Sequence, residues 1–127
     1  MDLLLDTHVF LWWDMLAPDL GPSARAAITN PTNRVFVSAA STWEIAIKSR
    51  KGKLGFSGSP TRAISQNGFS ELAILPIHGE IAGALIWDHT DPFDRVLVAQ
   101  AQAQSMTLVH ADSIIRDYAG IAQLWAR

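Results

Sequence analysis

Four short apolar runs without alternation, Leu3–Leu5, Val35–Val37, Leu72–Leu75 and Thr107–Val109, limit the folds open to this chain more than any other feature. A strand with one wet face alternates apolar and polar residues, whereas an unbroken apolar run suits a strand covered on both faces. Between these runs the apolar spacing turns helical: Val9, Trp12, Trp13 and Leu16; Trp43, Ala46 and Ile47; Ile77, Ile81, Ala84 and Leu85; Phe93, Val96, Leu97 and Ala101. Covered strands alternating with helices imply an α/β protein whose short, mainly parallel sheet lies between helices, with right-handed crossovers. Two stretches break the pattern. Residues 17–22 (Ala-Pro-Asp-Leu-Gly-Pro) read as a turn into a short helix with Pro22 near its start, and the glycine- and serine-rich stretch from Gly52 to Pro60 reads as a mobile loop before a short helix near Thr61–Gln66.

With 127 residues, 49% of them hydrophobic, the chain can bury a substantial core, and a single domain spanning 1–127 is expected. It has no cysteine, so disulfides, a thiol nucleophile and thiolate-held metals are excluded, and any metal must be held by oxygen or imidazole. The run Leu3–Leu5 is cut at once by Asp6 and no basic residue precedes Arg25, which argues against a signal peptide. No apolar stretch is long enough to cross a bilayer, so a cytoplasmic protein without membrane contact is expected. A net charge of −2 does not suit a sequence-independent nucleic-acid coat. Even so, Lys48, Arg50, Lys51 and Lys53 crowd into six positions, either as a local attraction for a phosphate backbone or as cations favoured at a helix C-terminus.

The acids are more informative by position than by number. Asp6, Glu44, Asp94 and Asp112 each fall at or just after the end of an expected strand or near the start of a helix. In an open parallel sheet ligands bind beyond the carboxyl ends of the strands, so these four could converge on one crevice. Converging carboxylates repel and call for a cation, and an oxygen-only donor set favours Mg²⁺ or Mn²⁺. Such ions serve phosphoryl chemistry by acidifying water and drawing charge off the phosphate. Each acid also has a structural reading. Ser41-Thr42-Trp43-Glu44 has the form of a capping box; Asp91-Pro92-Phe93-Asp94 places an N-cap, a first-turn proline and a first-turn acid; Asp6 and Asp112 suit N-caps. Asp91 and Arg95 are spaced for an i,i+4 ion pair.

Longer patterns surround these acids: Leu-Leu-Leu-Asp-Thr-His-Val-Phe-Leu-Trp at 3–12, Ser-Ala-Ala-Ser-Thr-Trp-Glu-Ile-Ala-Ile-Lys at 38–48, Gly-Lys-Leu at 52–54, and His-Thr-Asp-Pro-Phe-Asp-Arg-Val-Leu-Val-Ala-Gln-Ala at 89–101. In these the chain resembles the PIN-domain family and, within it, the VapC-type toxins of bacterial toxin–antitoxin pairs, collinearly from residue 3 to about 118. Asp-Pro-Phe-Asp-Arg is the most specific segment. The resemblance implies a PIN-like three-layer α/β/α fold and a Mg²⁺- or Mn²⁺-dependent endoribonuclease, held in check by a small cognate antitoxin and forming a homodimer. It assigns the metal-binding, catalytic acids to Asp6, Glu44, Asp94 and Asp112, with His110 standing where relatives often have threonine. Thr7 and Ser113 are implied as hydroxyl supports, Asp91 as an outer group paired with Arg95, and Lys48, Arg50, Lys51 and Lys53 as guides for RNA.

Competing readings are weaker on the residues themselves. His89-x-Asp91 and His110-x-Asp112 lack the His-x3-His spacing of a helical zinc site. A phosphoacceptor signalling domain needs a lysine near its last strand, and none follows Lys53. A non-catalytic PIN-like binding module would be favoured by missing acids, and all four are present. Trp12, Trp13, Trp43 and Trp87 lie on apolar helical stretches and are expected in the core. The first helix is apolar nearly all round, so part of it is expected to meet another chain, whether a second copy or the antitoxin.

Overall fold

The computed structural model describes residues 1–127. Its elements are β1 (Asp2–Leu5), α1 (Thr7–Asp14), α2 (Pro22–Thr29), β2 (Arg34–Ser38), α3 (Ala39–Arg50), α4 (Pro60–Gln66), β3 (Ser70–Leu72), α5 (Pro76–Ala84), α6 (Pro92–Gln104), β4 (Thr107–His110), α7 (Ser113–Arg116) and β5 (Ala122–Trp125). All five strands are parallel, in the order β3-β2-β1-β4-β5, with Leu4 level with Phe36 on one side and Leu108 on the other. The chain builds outward from β1 through β2 to β3, then crosses back to place β4 against the other edge of β1. That reversal puts the topological switch point, where such sheets open a crevice, between β1 and β4.

Unalternating strands are explained by the two apolar clusters they feed. Leu3, Leu5, Val35, Val37 and Val109 join Val9, Phe10, Ala24, Ile28 and Ile64 on one face, and Leu4 and Leu108 join Leu97, Val98, Ala101 and Ile115 on the other. Helices α1, α2 and α4 thus cover one side and α6 and α7 the other, giving the three-layer α/β/α arrangement. Helix α3 contributes to both, Ile45 to the first cluster and Ala40 to the second. No helix is long and apolar enough to cross a membrane.

The third strand is Ser70–Leu72, not Leu72–Leu75: Leu75 caps α5, whose first turn carries Pro76, and Ile74 and Leu75 stay exposed. Strand β5 was not anticipated, since Gln123 interrupts a short and half-exposed run. In α3 the expected apolar stripe lies outward: Trp43 and Ala46 are exposed, while Ala40, Ser41, Glu44 and Ile45 are buried. Trp43 is therefore no core residue, and Trp12, Trp13 and Trp87 are only half-buried. Helix α1 hides more of itself than expected. Phe69 packs on Phe10 and Trp13, and Asn67 accepts from the Trp13 indole at 3.2 Å, so the segment after α4 covers the helix and leaves Met15 and Leu16 beyond it exposed. The expected loop at 52–60 is irregular through residue 59, yet Leu54 and Phe56 dock on the first cluster.

Phe10 is fully buried in that cluster. Phe10→Ala should cost about 3–5 kcal/mol of unfolding free energy in urea titrations.

Candidate active site

Asp6 is the first residue past β1. Its amide donates to the Val109 carbonyl of β4 at 3.0 Å, fixing the residue at the switch point, and its carboxylate accepts from the Val9 amide at 2.9 Å as the cap of α1. Asp112, past β4, caps α7 through the Ile114 amide at 2.8 Å. Asp94 sits in the first turn of α6, which Asp91 caps by accepting from the Phe93 and Asp94 amides. Glu44 belongs to no capping box, because β2 runs straight into α3 and Ser38 caps that helix by accepting from Ala40. Instead Glu44 turns inward, where one oxygen accepts from the Thr7 hydroxyl at 2.6 Å and the other meets the Lys48 ammonium at 2.7 Å. Ser41 lies 3.0 Å from the same Thr7 hydroxyl and steadies it.

Asp6 and Asp94 feel the acids around them. Burial pushes the Asp6 carboxyl up from 3.8 to about 7, with repulsion from Asp94, Glu44 and Asp112 adding to it and the Val9 amide opposing it. Asp94 is also raised, first by burial and then by Asp91 and Asp112, against a stabilising contact from His89. No three carboxylates or imidazoles close into a ready ligand group. A donor set made of oxygens, with a buried acid at its centre that cannot comfortably hold its charge, fits a hard divalent cation. Between β1 and β4 the crevice measures about 380 Å³ and is lined by Asp6, Asp112, Ser113, His8, Trp12 and Arg127, among others.

Around this centre the structure rearranges the expected supports. Arg95 makes no ion pair with Asp91; its guanidinium donates to the carbonyls of Ala82 (3.0 Å), Leu85 (2.9 Å), Trp87 (2.7 Å) and His89 (2.9 Å). The Asp91 carboxylate serves the helix instead, accepting from the Phe93 and Asp94 amides through Oδ1. Held by those carbonyls, the loop before α6 sets the His89 ring against Asp94, Nε2 to Oδ2 at 2.7 Å, with Trp87 packed on the far side at 4.9 Å. Nothing in the spacing of His89 signals this role, since the contact depends on the path of the loop. His110 accepts from the Asp112 amide through Nδ1 and meets Gln123 of β5 through Nε2. Burial lowers its pKa, which keeps it neutral and makes it a brace for the turn bearing Asp112. His8, expected from the sequence as a packing or supporting residue beside Asp6, lines the crevice; Arg127 escaped sequence reasoning because it reaches the crevice from beyond β5, lying over the Trp12 ring at 5.2 Å. Of the basic cluster, Lys48 is occupied with Glu44, while Arg50, Lys51 and Lys53 are exposed.

The sequence pattern of the PIN domain matches residues 3–121. The chain belongs to the PIN-domain family. No curated protein sequence matches it significantly. Among solved structures it is similar to the DNA-bound VapBC of Salmonella typhimurium, with a TM-score of 0.68 and 15% identity over 98% of this chain and 97% of that one. It is likewise similar to VapBC2 of Rickettsia felis bound to a promoter DNA fragment, with a TM-score of 0.61, 16% identity and 98% of each chain covered. VapBC-1 of nontypeable Haemophilus influenzae follows, with a TM-score of 0.58, 16% identity and coverage of 98% and 97%. At these identities the likeness is one of fold, and this PIN domain has the architecture that family membership requires.

The raised Asp6 pKa carries a sign that can be checked. Between the ordinary value of 3.8 and about 7 the folded protein holds a proton that the unfolded chain has released, so without metal its stability should fall as pH rises through that window. Asp94 contributes in the same direction. Asp6→Asn keeps an acceptor for the Val9 amide and loses the charge. In EDTA it should be more stable than the native chain by a few kcal/mol near pH 8 and equal to it near pH 4, as measured by denaturant unfolding at both pH values.

Proposed function

We propose that this PIN-domain protein is a divalent-metal-dependent endoribonuclease that hydrolyses RNA phosphodiester bonds, acting as the VapC-type toxin of a toxin–antitoxin pair. The observation that carries this reading is the buried Asp6 carboxyl at the switch point, raised to about 7 with three further acids bearing on it. Asp6, Glu44, Asp94 and Asp112 would hold Mg²⁺ or Mn²⁺. Bound there, such an ion supplies Lewis acidity, lowering the pKa of a water and drawing charge off a phosphate.

The chain's own residues prepare that site. Thr7 and Lys48 fix both oxygens of Glu44, His89 holds one oxygen of Asp94 and leaves the other free, and the capping bonds of Asp6 and Asp112 each use Oδ1. Ligands oriented by such outer bonds lose little freedom on binding a cation. Ser113 and Arg127, on the crevice wall, are placed to meet a phosphate by hydroxyl and guanidinium. Because water is the nucleophile in this chemistry, the 2′-hydroxyl is not consumed and the products carry 5′-phosphate and 3′-hydroxyl ends.

The test is cleavage of total cellular RNA by the purified chain with Mg²⁺ or Mn²⁺, with EDTA, and with Asp6→Asn. Cleavage should need the metal and fall by at least about a hundred-fold in the variant. End-labelling should find 5′-phosphates; 2′,3′-cyclic phosphates would refute the hydrolytic route. A folded chain that binds Mn²⁺ and cleaves no RNA would favour a non-catalytic binding module instead.

We further propose a small antitoxin protein as partner and a homodimer as the working form in the cytoplasm. The support is the likeness to VapBC assemblies, together with the exposed Met15 and Leu16 after α1 and Ile77 on α5. Sedimentation across micromolar concentrations should show a dimer that grows on adding the antitoxin; a strict monomer unaffected by it would overturn this assignment.

A further inference from the structure

The outward stripe of α3 puts a large aromatic ring where a soluble protein gains nothing by exposing one. Trp43 is 58% exposed although its helix packs into both core clusters. The ring is held in place all the same. Phe93 of α6 meets it edge to face, with centroids 5.1 Å apart and planes at 74°, and Phe93 is itself anchored on the second cluster. Trp43 immediately precedes Glu44 and Phe93 immediately precedes Asp94, the two acids on α3 and α6 whose charges bear on Asp6. The contact between the rings therefore joins the two helices that carry those acids. Arg50, also exposed, follows Trp43 by seven residues and so shares its face of α3, two turns or roughly 10 Å along the axis.

A braced ring with an open face beside a phosphodiester site, with a cation farther along the same face, has the two parts of a single-strand binding surface: an aromatic platform for a base and a positive charge for the backbone. We propose that Trp43, backed by Phe93, is a stacking platform for an unpaired nucleobase next to the scissile phosphate, with Arg50 meeting the strand as it leaves along α3. The assignment rests on the endoribonuclease reading and adds to it a residue that positions the substrate. A base can reach the ring only if it is splayed out of a helix, so the platform selects single-stranded segments, loops or bulges over continuous duplex. It selects weakly by sequence, since every base offers a flat face.

The test is binding of a short fluorescein-labelled unpaired RNA, and of the same strand annealed to its complement, in EDTA so that nothing is cleaved. Trp43→Ala should weaken binding of the unpaired strand about ten-fold, within the range expected for one stacked base, and leave duplex binding unchanged. Trp43→Phe should restore most of the loss. Arg50→Gln should lower the slope of log affinity against log salt by about one while keeping the preference for unpaired RNA. Equal binding of the unpaired strand by the native and Trp43→Ala chains would overturn the platform. So would a Trp43→Ala chain whose only change is its sedimentation, because a second copy or a protein partner would then be what covers the ring. If the native chain bound neither RNA, the endoribonuclease reading itself would fall, an outcome distinct from the loss of the platform alone.

Discussion

A carboxylate cut off from water at the join of two strands is the constraint from which the rest of this structure follows. Asp6 cannot move away from its position, because its backbone amide is part of the β1–β4 seam and its side chain caps α1. Burying it there costs free energy that a purely structural cap would avoid, since a serine or asparagine would close the helix without carrying charge. The neighbouring acids make the cost larger. A fold that places the expense at its topological switch point has concentrated its electrostatic strain where a cation would relieve it.

Capping and facing the crevice turn out to be compatible. The caps of α1, α6 and α7 are Asp6, Asp91 and Asp112, and a cap needs only one carboxylate oxygen. Helix N-termini favour negative charge, so the same geometry that satisfies free amides also gathers anions on one side of the sheet. Glu44 departs from this rule. It is embedded within α3, where its two oxygens meet Lys48 one turn on and the Thr7 hydroxyl of α1. To bury that network, α3 turns Ser41 and Glu44 inward and Trp43 outward, against the polarity of an ordinary surface helix.

The sequence was most legible where a pattern had only one packing solution. Doubly covered parallel strands could be read from Leu3–Leu5 and Val35–Val37, and of the acids read beside them Asp6 and Asp112 line the crevice, whereas the strand order that opens it could not be read. Legibility failed where long-range packing overrode a local signal. The apolar spacing of Trp43, Ala46 and Ile47 pointed to a buried stripe, but the polar network around Glu44 decided the rotation of the helix. The Ser41–Glu44 pattern looked like a cap, yet Ser38 took that role because no loop separates β2 from α3. Strand β3 is a three-residue edge whose apolar neighbours Ile74 and Leu75 lead into α5, and β5 depends on pairing with β4 that Gln123 conceals. The roles of His89 and Arg95 could not be read at all, for both arise from the path of an irregular loop.

That loop has a consequence for how the domain breathes. Residues 85–91 form no strand or helix, and Arg95 gathers the carbonyls of Leu85, Trp87 and His89 onto one guanidinium rooted in the first turn of α6. The several bonds share a single donor group, so they break together. Amide exchange across the loop should accordingly proceed as one cooperative opening coupled to fraying at the head of α6, rather than residue by residue. A lysine in its place would keep the charge and lose the fork, leaving the carbonyls to compete for one ammonium. The loop beside Asp94 is thus gathered onto one guanidinium, with Trp87 packed on the second apolar cluster as its other hold.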